Sequence, residues 1–392
     1  MTVRDAEFDG TGYNDEDFIN AEISRMRKTY YISVDTLSSF MKDVLLGLGV
    51  DPEDAEICTD VILASDLRGI ESHGIGRLKY YYDRIKAGQH QVKTNFEIVR
   101  ESPTTAVVDG HHGMGMVVAK CSMQLAIEKA KRFGMGSVAV RNSTHFGIAG
   151  YYPQMATVEG MIGITMTNAR PAVSPTFGVQ PMLGTNPIAF GAPTDEPFPF
   201  LFDGATPITQ RGKVEVLARA EKPLPEGWII DDKNNYLIDP DQILSDLTKG
   251  TASLLPLGGK GEDLGGHKGY GLGTMVEILS ASLQQGAFLY GLTGISQDGS
   301  PAPFQVGHFF MAINIENFCA LKDFKKTTGQ IMRDLRNSTK APGQPRIYTA
   351  GEKEYENEQR VRREGVPVVP NLQKDLKFLQ KELNLPKYDF PF

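Results

Sequence analysis

Cysteine is scarce and scattered: Cys58, Cys121 and Cys319 are odd in number, lie far apart and form no C-x-x-C pair. That argues against a disulfide-stapled secreted scaffold and a structural zinc site, and fits a reducing, cytoplasmic compartment. Positive charge is in short supply too. Forty-one Lys and Arg stand against 48 Asp and Glu, a formal net charge of −7, which offers no footprint for nucleic acid or an acidic membrane surface. No apolar run approaches the roughly 18 residues that a membrane span requires. The first residues carry Asp5, Glu7, Asp9, Asp15, Glu16 and Asp17 against Arg4 alone, the reverse of a secretory signal. Residues 1–28 therefore read as a flexible acidic arm.

The usual nucleotide fingerprints are also missing. The stretch Gly134 to Ala139 comes near G-x-G-x-x-G, but it follows a helical pattern and enters a strand-like one. A pyrophosphate site needs the opposite order, so that a helix N-terminus meets the phosphates. Gly269, Gly271 and Gly273 lack the last glycine, and no Walker-type lysine loop exists. A Rossmann domain and a P-loop enzyme are both disfavoured. His90, His111, His112 and His308 show no ligand spacing with carboxylates or thiols, so no metal is expected.

What is present is a chain of 392 residues with 41 Gly and 23 Pro, long enough for two to three domains. Val34, Leu37, Phe40, Met41, Val44, Leu45 and Leu48 recur at helical spacing, and Asp51-Pro52-Glu53 opens a second helix with a capping side chain before a proline. Arg77 to Ile85 predicts a third helix that ends by Gly88. From Thr104 short β-rich runs alternate with turns: Ala106–Asp109, Ser137–Arg141, Ile162–Thr167, Ile188–Phe190, Phe200–Phe202 and Val214–Leu217. Helical patterns over 116–133 and 270–283 interrupt them, and others return at 321–338 and 371–383. Too few helices separate the strands for a doubly wound parallel sheet. An α+β fold with a mixed, largely antiparallel sheet is expected, the last helices packing back onto the first.

Several polar clusters could carry chemistry. In Ser72-His73-Gly74-Ile75-Gly76-Arg77 a helix starting at Ser72 would place His73 and Arg77 on one face, an imidazole beside a guanidinium that can grip a carboxylate. The same spacing also describes a Ser72 cap followed by two solvated side chains. Asn142 to Gly147 follows a strand, where His145 is either a general base or a hydrogen-bonded turn residue. Thr167 to Pro171, Leu183 to Pro187, Asp203-Gly204-Ala205 and Arg211-Gly212-Lys213 are turns that can show amides and hydroxyls to a ligand or simply turn the chain. Lys268 near a helix start opposes the helix dipole, which an anionic ligand would relieve.

Taken as an ordered set, Ser72-His73-Gly74 with Arg77, Asn142 to Gly147, Leu183 to Pro187, Asp203 to Ala205, Arg211 to Lys213 and His267 to Gly271 resemble the malate/L-lactate dehydrogenase family, also called L-sulfolactate dehydrogenase-like. The likeness runs over about nine tenths of the chain, from near Val34 to near Leu385. It implies a helical domain made by both chain ends (29–103 and 266–392) and a central, non-Rossmann NAD(P)-binding sheet domain (104–265). It implies an NAD(P)-dependent 2-hydroxy acid dehydrogenase with NAD as cofactor and NADP as the alternative. The substrate is malate before lactate or sulfolactate, and the enzyme is a homodimer with no nucleic-acid or membrane partner.

Residue by residue, the resemblance implies His145, His73 and Ser72 as catalytic, with His145 ahead as base. Arg77, Thr185, Arg211 and Gly212 face the substrate. Phe146, Gly147, Asn168, Asp203, Gly204, Ala205, His267, Lys268 and Arg346 contact the cofactor. The chain departs from the family in three places: Gly204 and Pro207 in the Asp203–Pro207 turn, the extra residues 260–266 before His267, and Lys213 where imine-reducing relatives carry an acid. The last favours hydroxy acid chemistry over cyclic imine reduction. Ureidoglycolate oxidation, imine reduction and a catalytically silent nucleotide binder are the competing readings.

Overall fold

A computed structural model describes residues 28–392 apart from Ala220. The acidic arm expected at 1–28 falls almost wholly outside the described residues. The chain begins with a short strand, β1 (Tyr30–Ile32), and a helix, α1 (Val34–Gly47). The Ser33 hydroxyl accepts the Thr36 amide at 3.2 Å and caps α1. Leu37, Phe40, Met41, Val44 and Leu45 line its buried face. Helix α2 (Pro52–Leu67) starts with proline in the first turn, as expected, but the Asp51 side chain makes no capping bond.

The third helix differs from the sequence reading. It does not begin at Ser72: a single 3-10 turn over Ile75–Arg77 leads into α3 (Leu78–Lys86). Gly74 and Gly76 keep the preceding segment from propagating as a helix, and buried Asp66 ties it down instead, its Oδ2 accepting the Ile75 amide at 2.8 Å.

Strands β2 (Glu97–Glu101) and β3 (Thr105–Asp109) follow, then α4 (Gly115–Phe133), β4 (Met135–Ser143), α5 (Tyr151–Val158), β5 (Met161–Thr167), β6 (Ile188–Ala192) and β7 (Phe200–Gly204). Gly134, at φ 86°, ends α4 in the left-handed conformation that glycine adopts without a Cβ penalty. Val214–Leu217 is not a strand but part of α6 (Arg211–Arg219). Val214 and Leu217 are three apart and both turn into a small core with Ile229, Ile243 and Leu254, while Arg211 pairs with Glu215 one turn on. That core is completed by β8 (Ile229–Asp231), α7 (Pro240–Lys249) and β9 (Ala252–Leu254).

The remaining elements are α8 (Gly266–Ala281), β10 (Val306–Asn314), α9 (Leu321–Asn337), α10 (Glu352–Glu364), β11 (Val366–Val368) and α11 (Pro370–Glu382). The main sheet has the order β2-β3-β4-β10-β5-β6-β7. Only β3 and β4 are parallel, joined through α4; every other pair is antiparallel. Helices α4 and α5 cover one face through Val118, Met123, Ile127 and Tyr152, and α8 covers the other through Val276. A separate core joins the two ends of the described chain: α1, α2 and α3 pack with Val361, Val366, Leu376, Leu379, Tyr388 and Phe390. Among the described residues no helix is long and apolar enough to cross a membrane.

Candidate functional site

The turn after α2 is built around a buried carboxyl. Asp66 is 4% exposed, and besides bonding Ile75 it presses on Gly74. A Cβ added to Gly74 would stand 1.8 Å from Asp66 Oδ1, so only glycine fits there. Burial, and to a lesser degree the charge of Glu71, push the Asp66 carboxyl up to about 8. The turn it supports presents Ser72, His73 and Arg77. Ser72 Oγ lies 2.9 Å from His73 Nδ1, and Arg77 Nε donates to the Ser72 carbonyl at 2.6 Å. Arg77 therefore keeps its two terminal nitrogens for another partner.

His145 arrives from the far side, on the segment between β4 and α5. Thr144 anchors that segment to the start of α4: its hydroxyl accepts the Gly115 amide and donates to the Gly113 carbonyl, both at 2.9 Å. Tyr81 Oη is 2.8 Å from His145 Nδ1, and the Gly147 amide approaches the same nitrogen at 3.3 Å. Nε2 of His145 is left for an external group. The His73 and His145 rings stack at 5.5 Å between centroids, 22° from parallel. Burial first, and the Arg77 charge second, hold His73 down at about 4. Burial and then the neighbouring His73 and Arg77 push His145 well below its ordinary value. Both imidazoles are neutral at pH 7, which suits a proton acceptor beside a cation.

Two further elements close on this pair. The first turn of α6 lies over the serine, so that a Cβ on Gly212 would come 3.8 Å from Ser72 Cβ. Arg211 is engaged there with Glu215 at 3.1 Å and Thr248 at 3.2 Å. The second element is a pair of loops locked by buried amides. Asn186 accepts the Ala169 amide at 3.2 Å and donates to Glu277 at 2.8 Å and to the Gly273 carbonyl at 3.0 Å. Asn168 accepts the Gly307 amide at 2.8 Å and donates to the Ala287 carbonyl at 3.3 Å. Burial raises the Glu277 carboxyl. This lattice fixes Thr185 and Arg170. Arg170 is held below its usual range, chiefly by loss of water around its head group and then by Arg211, Arg84 and Arg77.

The structure thus brings Ser72, His73, Arg77, His145 and Gly212 together, with Gly147 against His145. Other expected residues sit elsewhere. Asn168 spends its side chain within the fold, and the Phe146 ring stacks on His308 at 4.6 Å inside the core. Asp203 accepts the Gly150 amide at 2.6 Å and holds the start of α5, next to Gly204 and Ala205 at the end of β7. His267 and Lys268 project, exposed, from the first turn of α8, whose N-cap Gly265 supplies no capping side chain. Arg346 pairs with Glu352 and Glu356 and lies over Tyr348 at 4.3 Å. Near the start of α8, the hydroxyls of Ser174, Thr176 and Thr209 are buried without a partner in the chain. The turn from Gly258 to Gly266 lies against Phe177 and Ile208 beside them. Among the described residues no His, Cys, Asp and Glu groups cluster as metal ligands.

Sequence reasoning missed Tyr81 and Asp66, which are buried within helical patterns, and left Arg170 as a turn residue. Tyr81 is the one that mattered most. Its place four residues after Arg77 was the only available hint that it shares the same cleft.

The chain is similar over most of its length to known proteins. The profile of the malate/L-lactate dehydrogenases matches residues 32–377. The chain is 43% identical over 374 residues to a malate dehydrogenase of Pyrococcus horikoshii, covering 95% of this chain and 98% of the relative. It is 40% identical over 351 residues to an L-sulfolactate dehydrogenase of Methanocaldococcus jannaschii, covering 89% and 96%. The crystal structure of malate dehydrogenase from Entamoeba histolytica superposes with a TM-score of 0.89 at 47% identity, covering 93% of this chain and all of that one.

Proposed function

Because the chain belongs to the malate/L-lactate dehydrogenase family, an oxidoreductase family, we propose that it oxidises a small 2-hydroxy acid, malate first, reversibly to the 2-oxo acid with NAD, NADP being the alternative. Lactate and sulfolactate come next as substrates. The observation that carries this reading is the pair of neutral, stacked imidazoles, His73 and His145, beside the free terminal nitrogens of Arg77.

Arg77 grips the C1 carboxylate through its planar fork, a geometry that an ammonium lacks. In the tautomer with its proton on Nδ1, donated to Tyr81 Oη, which fixes the ring, His145 takes the proton of the C2 hydroxyl at Nε2. In the reverse direction the same nitrogen returns the proton to the carbonyl oxygen. Ser72 orients His73, which keeps a second polar ring on the same face of the substrate. A nicotinamide, when bound, would accept the hydride that leaves C2 of the substrate. The unpartnered hydroxyls of Ser174, Thr176 and Thr209 and the uncapped start of α8 with Lys268 fit the phosphates and riboses of such a dinucleotide. Phe146, Gly147, Asp203 to Ala205, His267 and Arg346 remain its proposed contacts. Leu272, Met275 and Ile278 are exposed along α8, which supports a homodimer, and the three free cysteines support a cytoplasmic setting.

The test is a panel of 2-hydroxy acids against both nucleotides, read by nicotinamide absorbance, on the wild type and His145→Ala. The variant is expected to lose about 10²–10⁴ in kcat while nucleotide affinity by calorimetry stays put. Full turnover by His145→Ala removes His145 from the base role, and a wild type silent on every acid removes the reading.

A further inference from the structure

His90 is the polar side chain that the mechanism above leaves without a task. It is 2% exposed, and neither ring nitrogen has a hydrogen-bond partner within the chain. A buried imidazole with both nitrogens bare is costly, so a water or another polar group belongs beside it. Its surroundings show where such a group leads. The ring packs 6.1 Å from Tyr81, 6.3 Å from Tyr80 and 5.8 Å from Phe304. Tyr81 is the residue whose hydroxyl meets His145 Nδ1, and Tyr80 sits 6.1 Å from the His145 ring. On the other side, Tyr80, Asp83, Arg84, Gln89 and Gly294 line a solvent-open cleft of about 460 Å³. Arg84 bonds Gln89 and lies over both Tyr80 and Phe304. His90 does not itself line that cleft, but its ring neighbour Tyr80 and its chain neighbour Gln89 do, so it lies one residue behind the opening, with the wholly buried Tyr81 on its inner side.

Resting on the dehydrogenase reading, we infer that His90 is a proton relay: a buried water joins its ring to the Tyr81 hydroxyl, so that the proton collected at His145 leaves through Tyr81, water and His90 to the cleft beside Arg84. The transfer balances without a further reactant. Starting from the tautomer with its proton on Nδ1, donated to Tyr81 Oη, His145 takes the hydroxyl proton of the substrate on Nε2 and passes the Nδ1 proton to Tyr81 Oη. That leaves the Nε2–H tautomer, whose bare Nδ1 the Gly147 amide faces. Tyr81 releases its hydroxyl proton to the water. The water hands one on to a His90 nitrogen, and the opposite nitrogen of His90 releases one to a second water, which carries it to the cleft lined by Gln89 and Tyr80. Reduction runs the chain backwards. Burial and the Arg84 charge hold His90 down at about 3, so the ring passes protons without storing one. The route answers a need of the site: His145 is packed among Tyr80, Tyr81 and His73, and the substrate itself covers its open side during turnover.

The experiment measures steady-state malate oxidation with NAD by the full chain in a dilute, bulky buffer, comparing wild type, His90→Phe and His90→Gln. Both variants are expected to lose about tenfold in kcat with the KM for malate unchanged. Their solvent deuterium isotope effect should be larger, and kcat should be restored by added imidazole. His90→Gln keeps the polarity of the site and controls for folding through an unchanged melting temperature. Wild-type kcat and isotope effect in both variants overturn the relay, as does a loss that imidazole does not rescue and that moves KM. A readout independent of turnover is nitrogen NMR of the histidine rings. Tyr81→Phe should shift the His90 resonances through the shared water, and unmoved resonances overturn the inference even if no acid is turned over. Inactivity of the wild type on every hydroxy acid counts against the dehydrogenase reading, so the two failures are distinguishable.

Discussion

Replacing Asp66 by asparagine should stabilise the protein, and by more as pH rises. The Asp66 carboxyl is buried, accepts only the Ile75 amide by hydrogen bond, and titrates at about 8 in the fold. In the unfolded chain it titrates near 3.8. Between those values the folded protein holds one proton more than the unfolded one, so this group costs about 1.4 kcal/mol of stability for each pH unit climbed. The direction is that of a raised carboxyl: its contribution is fully present in acid, is lost as pH rises, and levels off above pH 8. At pH 7 the accumulated cost is on the order of 4 kcal/mol. An asparagine oxygen accepts the same Ile75 amide and carries no charge. The assay is urea or thermal denaturation of both proteins from pH 4 to 9, with one curve subtracted from the other. The expected difference is near zero at pH 4 and grows to roughly 5 °C in melting temperature by pH 8. A flat difference, or a variant that loses ground as pH rises, would mean that Asp66 is ionised in the fold and would refute the reasoning.

Arg77→Lys should raise the KM for malate at least about tenfold, because an ammonium cannot make the paired contact; initial rates against malate concentration measure it, and an unchanged KM frees Arg77 from the substrate. Gly115→Ala places a Cβ 2.2 Å from the Thr144 carbonyl oxygen and 2.6 Å from that of His145. Backbone cannot swing away, so a loss of about 1–3 kcal/mol is expected, with a fall in kcat as His145 shifts; melting curves and rates check both. In acid, His73, His90 and His308 resist protonation down to about 4, 3 and 3, while the unfolded chain takes up protons from about 6.5. Stability present above pH 6.5 is therefore lost as pH falls toward 4, and urea midpoints that stay level across that window would contradict it.

The parts of the fold that could be read from sequence are those whose burial is one-sided. Helix α1 shows its Leu37, Phe40, Met41, Val44 stripe because solvent faces its other side. Strand β10 escaped notice for the opposite reason: it lies between β4 and β5 with helices on both faces, so His308, Phe309 and Phe310 are all buried and no alternation survives. Helix α10 escaped because Val361 is its one buried hydrophobic residue among charges. Val214 to Leu217 looked like a strand on β-branched content, but the Arg211–Glu215 pair and the contact with Ile243 settle it as helix. The site was legible as separate polar clusters, and the family likeness joined them. What the one-dimensional string withheld was the assembly: His145 and its partner Tyr81 are 64 residues apart, and each is unremarkable in its own segment.

The middle of the main sheet is filled by a strand that is synthesised late. Strands β4 and β5 do not pair with each other; each bonds to β10 along most of its length. Until residue 314 has left the ribosome, the two halves of the sheet, β2-β3-β4 and β5-β6-β7, are open edges with no common partner. Joining of the two halves must therefore wait for more than three quarters of translation, and β4 and β5 stay open to pairing with other strands during that interval. Late closure of the sheet is thus built into the strand order.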